Sequence, residues 1–290
     1  VISSACAELA LGRGIELYLL NRGESTRPTP EGARILRADI RERAQTQAAL
    51  AGLTFDAVVD WVAFTPEHIA ADIELFRGRT AQYVFISSAT VYEKPPRRLP
   101  ITESTPRSNP FWPYAANKIA CEERLEQAHR SEQFPVTIVR PSHTYDRTKL
   151  PTLGYYTAIA RLRAGKPAVV HGDGTSLWVL THHRDFAVGF VGLLGNPRAV
   201  GEAFHITSDE LLTWNQIYTL LARAAGAEPN LVHVPSEVIA RFDPEMGAGL
   251  LGDKAHSVIF DNSKIRRFAP DFAPAIPFAA GAAEIMAWYD

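Results

Sequence analysis

The chain has 290 residues, of which 46% are hydrophobic, and a formal net charge of -2 at pH 7. That is enough apolar side chain for one large domain or an α/β domain with a smaller appendage, and too balanced a charge for a general pull toward nucleic acid or an anionic membrane. Cys6 and Cys121, the only cysteines, lack metal-ligand spacing and read as reduced thiols of a cytoplasmic protein; no apolar run approaches the roughly 20 residues of a membrane span, and the first residues do not follow the basic-then-apolar order of a secretion signal.

Residues 1–12 open directly on a helix-like pattern. GIELYLLN (14–21) and ARILRADI (33–40) read as buried strands, with a helix over 41–50 after them. FDAVVDWVAF (55–64) is apolar and β-branched, PEHIAADIELF (66–76) has helical spacing, and AQYVFISS (81–88) is again a strand. Residues 93–113 form a long loop with six prolines; loops of that length are usually functional or disordered. YAANKIACEERLEQAHR (114–130) reads as a helix and FPVTIVRP (134–141) as a strand. From about residue 142 the pattern turns irregular. Short strands such as PAVVH and EAFHI sit among helices such as RDFAVGFVGLLG and WNQIYTLLARAA, and GDGT (172–175) reads as a hairpin turn.

Strands alternating with helices imply βαβ units and a parallel sheet covered on both faces, which fits the near-continuous hydrophobicity of the strands. The predicted architecture is α/β: a doubly wound parallel (Rossmann) sheet over 1–141, and a smaller C-terminal α+β substrate region over 142–290, interleaved with the last strands of the core. Such sheets begin with a central strand and a glycine-rich turn. Neither is in this sequence, so both are expected about ten residues before Val1, with 1–12 as the helix whose amides face a cofactor diphosphate.

Ser87-Ser88-Ala89-Thr90 follows strand 81–86, at the carboxyl end where open parallel sheets bind ligands. Tyr114 comes 26 residues after Ser88, and Lys118 one helical turn later. Positions i and i+4 share a helix face. The bland reading is two side chains on a surface helix. The chemical reading is an acid–base pair, because a phenol with pKa near 10 is a poor base at pH 7 and a nearby ammonium lowers that value.

FISSATVYE (85–93), YAANK (114–118), TIVRP (137–141) and HHRDFAVGFVGLL (182–194) together resemble the extended short-chain dehydrogenase/reductase family, the group of NAD-dependent sugar epimerases and dehydratases. The resemblance spans nearly the whole chain. It implies that Tyr114 exchanges a proton with the substrate oxygen, that Ser88 holds that oxygen, and that Lys118 sits beneath the cofactor ribose. Ser87 or Thr90 is the alternative to Ser88, whose structural reading is a strand-end cap. Hydride passes to or from a nicotinamide, since no side chain can accept it.

The same resemblance assigns the adenosine end of the cofactor to Asn21 and Arg22, in the LNRG segment. An arginine there suits a 2′-phosphate, so NADP is slightly favoured over NAD; otherwise Arg22 is a turn residue. Asp39 and Ile40 match the adenine-contacting pair, with Asp39 alternatively the N-cap of helix 41–50. Trp61, Val62, Ala63 and Phe64 line the dinucleotide or are plain core, and Pro141 joins them. Thr90 and His143 face the substrate, or His143 is a satisfied loop histidine. His182 and His183 lack metal spacing with any partner and flank Asp185 as the cap.

The chain departs from nucleotide-sugar members of the family at two points. Trp178 stands where an arginine usually binds the diphosphate, and 247–257 has no arginine. Burying a diphosphate without cations is expensive, while an indole face suits stacking on a sugar. The expected substrate is therefore a sugar or polyol-like metabolite without a nucleotide, although Arg140, Arg147 or Lys149 could supply charge. The alternative is a nucleotide-sugar epimerase or dehydratase. The compact layout also resembles the chloroplast RNA-binding branch, which implies a non-catalytic RNA-binding alternative; that branch lacks the tyrosine, so Tyr114 speaks for retained redox chemistry. The expected partner is a small molecule, with neither membrane nor nucleic acid, and a homodimer remains open.

Overall fold

The computed structural model describes residues 1–25 and 27–290. The first part runs α1 (Ile2–Gly12), β1 (Tyr18–Asn21), β2 (Arg34–Arg37), α2 (Arg43–Ala49), β3 (Val58–Asp60), α3 (Pro66–Phe76), β4 (Tyr83–Ile86), α4 (Pro113–Glu132) and β5 (Val136–Pro141). It continues with β6 (His143–Tyr145), α5 (Tyr156–Arg163), β7 (Ala168–His171), β8 (Leu177–Trp178), β9 (Leu180–His182), α6 (His183–Val191) and β10 (Ala203–Ile206). The last part is β11 (Leu212–Thr213), α7 (Trp214–Ala224), β12 (Leu231–Val234), α8 (Ser236–Phe242), α9 (Pro244–Gly249), a π-helical turn (Leu250–Lys254), α10 (Ser263–Phe268) and α11 (Phe278–Tyr289).

The strand order β10-β5-β4-β3 is parallel throughout, and β1 pairs with β2 in a separate parallel ladder. Alternate side chains of a strand face opposite sides, and β4 obeys this. Val84 and Ile86 join Val139 of β5 against α1 and α6, where Ala5, Cys6, Ala10, Phe186 and Phe190 are buried. Tyr83 and Phe85 join Val136 and Ile138 against α3 and α4, with Ile69, Ile73, Cys121 and Leu125. Val84 and Phe85 are both 0% exposed, and each such burial contributes roughly 1.5–3 kcal/mol. Helices on both faces of a parallel sheet make this an α/β Rossmann-like fold. The residues after β5 build a further core around Trp178, Trp214, Tyr145 and Phe278, while β10 and α6 return to the main sheet.

Several boundaries differ from expectation for local reasons. The strand expected over 14–21 starts at Tyr18: Gly14 takes φ +77° and the Ile15 amide donates to Ala10, closing α1. The strand expected over 55–64 ends at Asp60, whose carboxylate accepts the Val62 and Ala63 amides and turns the chain. The helix expected over 41–50 begins at Arg43, and Asp39 is not its cap; its carboxylate accepts the Arg41 amide one turn earlier. GDGT is a turn, with Asp173 accepting from the Thr175 amide and hydroxyl, but not a hairpin, because β7 pairs with β12 and β8 with β11. The proline-rich loop 93–113 is fastened down: the Glu93 amide donates to Pro106, and Ile101 is 0% exposed. Among the described residues no helix is long and apolar enough to cross a membrane.

Candidate active site

β4 is buried along its length and delivers Ser87 and Ser88 at its carboxyl end. Ser88 opens a short 3-10 turn, accepting the Thr90 amide at 3.3 Å and the Thr90 hydroxyl at 3.0 Å. Proline at the first position of a helix costs no hydrogen bond, and Pro113 begins α4 there, with Tyr114 next and Lys118 one turn on. The fold thus brings Ser88, Tyr114 and Lys118 together. Of the alternatives to Ser88, Ser87 is turned toward Glu122 and Thr90 is bonded to Ser88 itself; Ser88 is the hydroxyl beside the phenol.

Lys118 is 2% exposed. Its ammonium donates to the Ala63 and Ile86 carbonyls, both at 2.7 Å, and lies over the rings of Phe85 at 4.7 Å and Phe64 at 4.8 Å. Burial depresses its pKa to about 8. The ammonium is 5.8 Å from the centre of the Tyr114 ring. Contrary to the expected lowering, the phenol pKa is raised: burial is the main cause, the nearby Ser88 hydroxyl opposes it, and the Asp253 carboxylate adds to it. The phenol therefore holds its proton at neutral pH.

At the sheet edge beside this group, Val62 is 47% and Phe64 44% exposed, whereas Ala63 is buried and Trp61 packs on Phe190. Two exposed apolar side chains there suit a flat ligand better than plain core does. Pro141 ends β5 half-buried. Asn21 ends β1, and Arg22 reaches Glu24 at 3.3 Å and Asp39 at 3.8 Å, with Ile40 half-buried next to it. Arg37, which sequence reasoning missed, lies against Gly23 so closely that a Cβ there would meet its guanidinium at 1.1 Å. Among the described residues Arg37 has no salt bridge. Its signal was its place at the end of β2.

On the other side, His143 accepts the Trp178 indole N–H at its Nδ1, at 3.0 Å. Its pKa lies well below the ordinary value through burial and the charges of Lys254 and Lys149, so it is a neutral ring with the proton on Nε2. Trp178 offers no open stacking face. It is 1% exposed, with Trp214 against it at 5.4 Å and the Lys254 ammonium over the ring at 5.9 Å. The aromatic side chain that touches the phenol is Trp112, ring to ring at 5.1 Å.

Arg140 is not available to a ligand. It is 3% exposed, binds Glu122 through two bonds of 2.9 and 2.6 Å, and extends through Tyr92 to His205. Arg147 lies over Trp288 at 4.5 Å. His182 and His183 do have a third partner: Glu284 from α11 brings ligand-type atoms within 4.8 Å of one another. His182 is nonetheless fully used, since its Nδ1 caps α6 by accepting the Arg184 amide and its Nε2–H donates to Glu284. It, rather than Asp185, is the cap; Asp185 accepts the Ile276 amide.

The chain is 29% identical over 260 residues to 2'-dehydrokanamycin reductase of Streptomyces kanamyceticus, covering 88% of this chain and 72% of that protein. It is 28% identical over 202 residues to the chloroplast stem-loop binding protein of 41 kDa b of Arabidopsis thaliana, covering 68% of this chain but only 50% of that one. Among solved structures, UDP-glucose 4-epimerase from Bifidobacterium longum in complex with NAD+ and UDP superposes with a TM-score of 0.78 at 18% identity, over 99% of this chain and 94% of the other. The model of the NAD dependent epimerase/dehydratase family matches residues 1–207, in keeping with the parallel sheet covered on both faces: the chain belongs to that family.

Proposed function

We propose that the protein is an NAD(P)-dependent oxidoreductase that works on a carbonyl or hydroxyl of a sugar or polyol-like metabolite without a nucleotide, through Ser88, Tyr114 and Lys118. The observation that carries this reading is the Ser88 hydroxyl beside the Tyr114 phenol, with Lys118 one turn along the same helix. The exposed Val62 and Phe64 at the sheet edge, with Lys118 behind them and Arg22 and Arg37 beyond, fit a dinucleotide. A nicotinamide bound there supplies the hydride chemistry that side chains lack.

The residues of the chain then have separate tasks. Ser88 orients the substrate oxygen. Tyr114 holds a proton on its phenol oxygen at neutral pH, the state needed to protonate an oxygen as a carbonyl becomes an alcohol. Lys118 carries positive charge below about pH 8. Reduction is the reaction named for one of the relatives, and a protonated phenol is the form that step starts from. Support for a substrate without a nucleotide comes from Arg140 being locked to Glu122 and from Trp178 standing where arginine is usual.

Tyr114→Phe tests the reading. Folding and dinucleotide binding should persist, while reduction of carbonyl sugars with NADPH falls on the order of 10²-fold or more. Near-normal turnover in that variant, or tight salt-resistant binding of stem-loop RNA by the wild type with no dinucleotide binding, would count against it.

A further inference from the structure

The π-helical turn Leu250–Lys254 is a built element rather than a frayed helix end. The Ala255 amide donates to Leu250 at 2.9 Å, a five-residue step, and such steps leave neighbouring carbonyls without helical partners. Side chains from elsewhere satisfy them. His256 bonds the Leu251 carbonyl, Asn109 donates to that of Gly252, and His171, Ser176 and Trp214 all converge on that of Lys254 at 3.1–3.2 Å. Asn109 also donates to Thr90, tying the turn to the Ser88 loop. Only glycine fits at 252, where a Cβ would meet Trp112 at 2.9 Å.

This anchoring fixes one cation. The Lys254 ammonium lies 5.4 Å from the centre of Trp112 and 5.9 Å from that of Trp178, and Trp112 touches the Tyr114 ring. Its nearest carboxylate, Asp253, is 3.8 Å away, but Asp253 is already paired at 3.0 Å with Lys94, whose side chain is 1% exposed. Lys149 adds a second charge to the same space, since it and Lys254 both bear on His143. Asp146, which opposes Lys149, is held by Arg27 at 3.2 Å. Asp253 is thus shared between two ammonium groups, and the Lys254 side chain remains 24% exposed, open to a further anion.

We propose that Lys254 is a substrate-binding residue that takes an oxyanion, the carboxylate or phosphate group of the sugar whose carbonyl meets Tyr114. The proposal rests on the site assigned above and names the substrate class: an acidic sugar, not a neutral or amino sugar. A carboxylate and a phosphomonoester share the chemistry that one ammonium recognises.

The test is calorimetric titration of the protein saturated with NADP, using glucuronate, glucose 6-phosphate, glucose, glucosamine and UDP-glucose as probes. Glucuronate or glucose 6-phosphate should bind, glucose and glucosamine should not, and the two anions report which group is preferred. Lys254→Gln should weaken the anion about 10- to 100-fold, with melting temperature and NADP affinity unchanged. Lys254→Arg should restore most of the loss, and exposed Lys166→Gln should change nothing. Equal binding of glucose, no binding by any anionic probe, or an anion indifferent to Lys254→Gln overturns the proposal. Binding of UDP-glucose alone, lost in Lys254→Gln, overturns the acidic-sugar class and with it the reading of a substrate without a nucleotide. Loss of turnover in Tyr114→Phe is read separately.

Discussion

Lys118 combines properties that seldom occur together in a lysine: nearly complete burial, two backbone acceptors and two aromatic faces. Burial lowers its pKa to about 8, so the ammonium is present below that value and lost above it. If the charge is needed, kcat/KM for carbonyl reduction should fall about tenfold per pH unit above about pH 8, and the limb should vanish, with a low flat rate, in Lys118→Met. A profile flat to pH 10 in the wild type would remove Lys118 from the chemistry. The stability term runs the same way as for any depressed pKa: the unfolded lysine keeps its proton to about 10.5, so the contribution is present above that value and is lost as pH falls toward 8. The pairing of Tyr114 with Lys118 was legible because a helix repeats its face every three to four residues. Their electrostatics were not, because the groups that decide them, the Ala63 and Ile86 carbonyls and Asp253, arrive from other parts of the chain. Lys254 stands in GDKAH, where the sequence shows the sign of the charge but not the two indole rings that surround it.

Among the elements, α3 was readable to the residue. Thr65 caps it through the His68 amide and Pro66 fills its first position, signals that sit in the sequence itself. What α3 carries inward was not readable. Asp72 is 1% exposed, accepts the Tyr83 hydroxyl at 2.7 Å and faces Asp60 across Arg41. Asp60 stays ionised: burial opposes this, but the hydrogen bond with Asp72, the Val62 amide and Arg41 hold its carboxylate low; Asp72 keeps its proton, its pKa pushed up to about 9 chiefly by burial and by Asp60. The unfolded carboxyl ionises near 4, so this contribution is full below that pH and is lost as pH rises toward 9. Asp72→Asn keeps an acceptor for Tyr83 and a donor for Asp60 while removing the titration. Its melting temperature should exceed that of the wild type at pH 8 by on the order of 3 °C, and the gap should narrow at pH 5. A constant gap across that range would assign the proton elsewhere. Aspartate on a helix reads from sequence as a solvated position, and nothing local marks it as buried. Glu122 is hidden in the same way, and it is what takes up Arg140, expected from sequence to be open to the substrate.

At the scale of the whole molecule, the parallel sheet with helices on both faces was plain from alternating apolar runs, whereas the region after β5 gave short, irregular signals because its strands pair with partners distant in sequence. The end of the β1–β2 ladder, where Arg22 follows β1 and Arg37 closes β2, bears on cofactor choice. Two guanidinium groups there should make NADP bind more tightly than NAD, and Arg37→Ala should lower NADP affinity about tenfold while leaving NAD affinity in place. The Arg22→Ala effect should be smaller, since Glu24 and Asp39 already engage that side chain. Tighter binding of NAD to the wild type, by calorimetry, would reverse the assignment. The topology also has a consequence for how the chain is made. Ile138 of β5 pairs with Ala203 of β10, so a nascent chain halted anywhere between them leaves the edge of β5 bare. The layer of Val84, Ile86 and Val139, which α1 covers in part, also stays incompletely covered until α6 has emerged. Unpaired strand edges and apolar surface invite association with other chains, and pairings remote in sequence form slowly. Synthesis from about residue 141 to residue 206 is therefore the interval in which this protein depends most on chaperones, and a fragment cut at the end of β5 should be recovered in inclusion bodies rather than as a free-standing dinucleotide-binding unit.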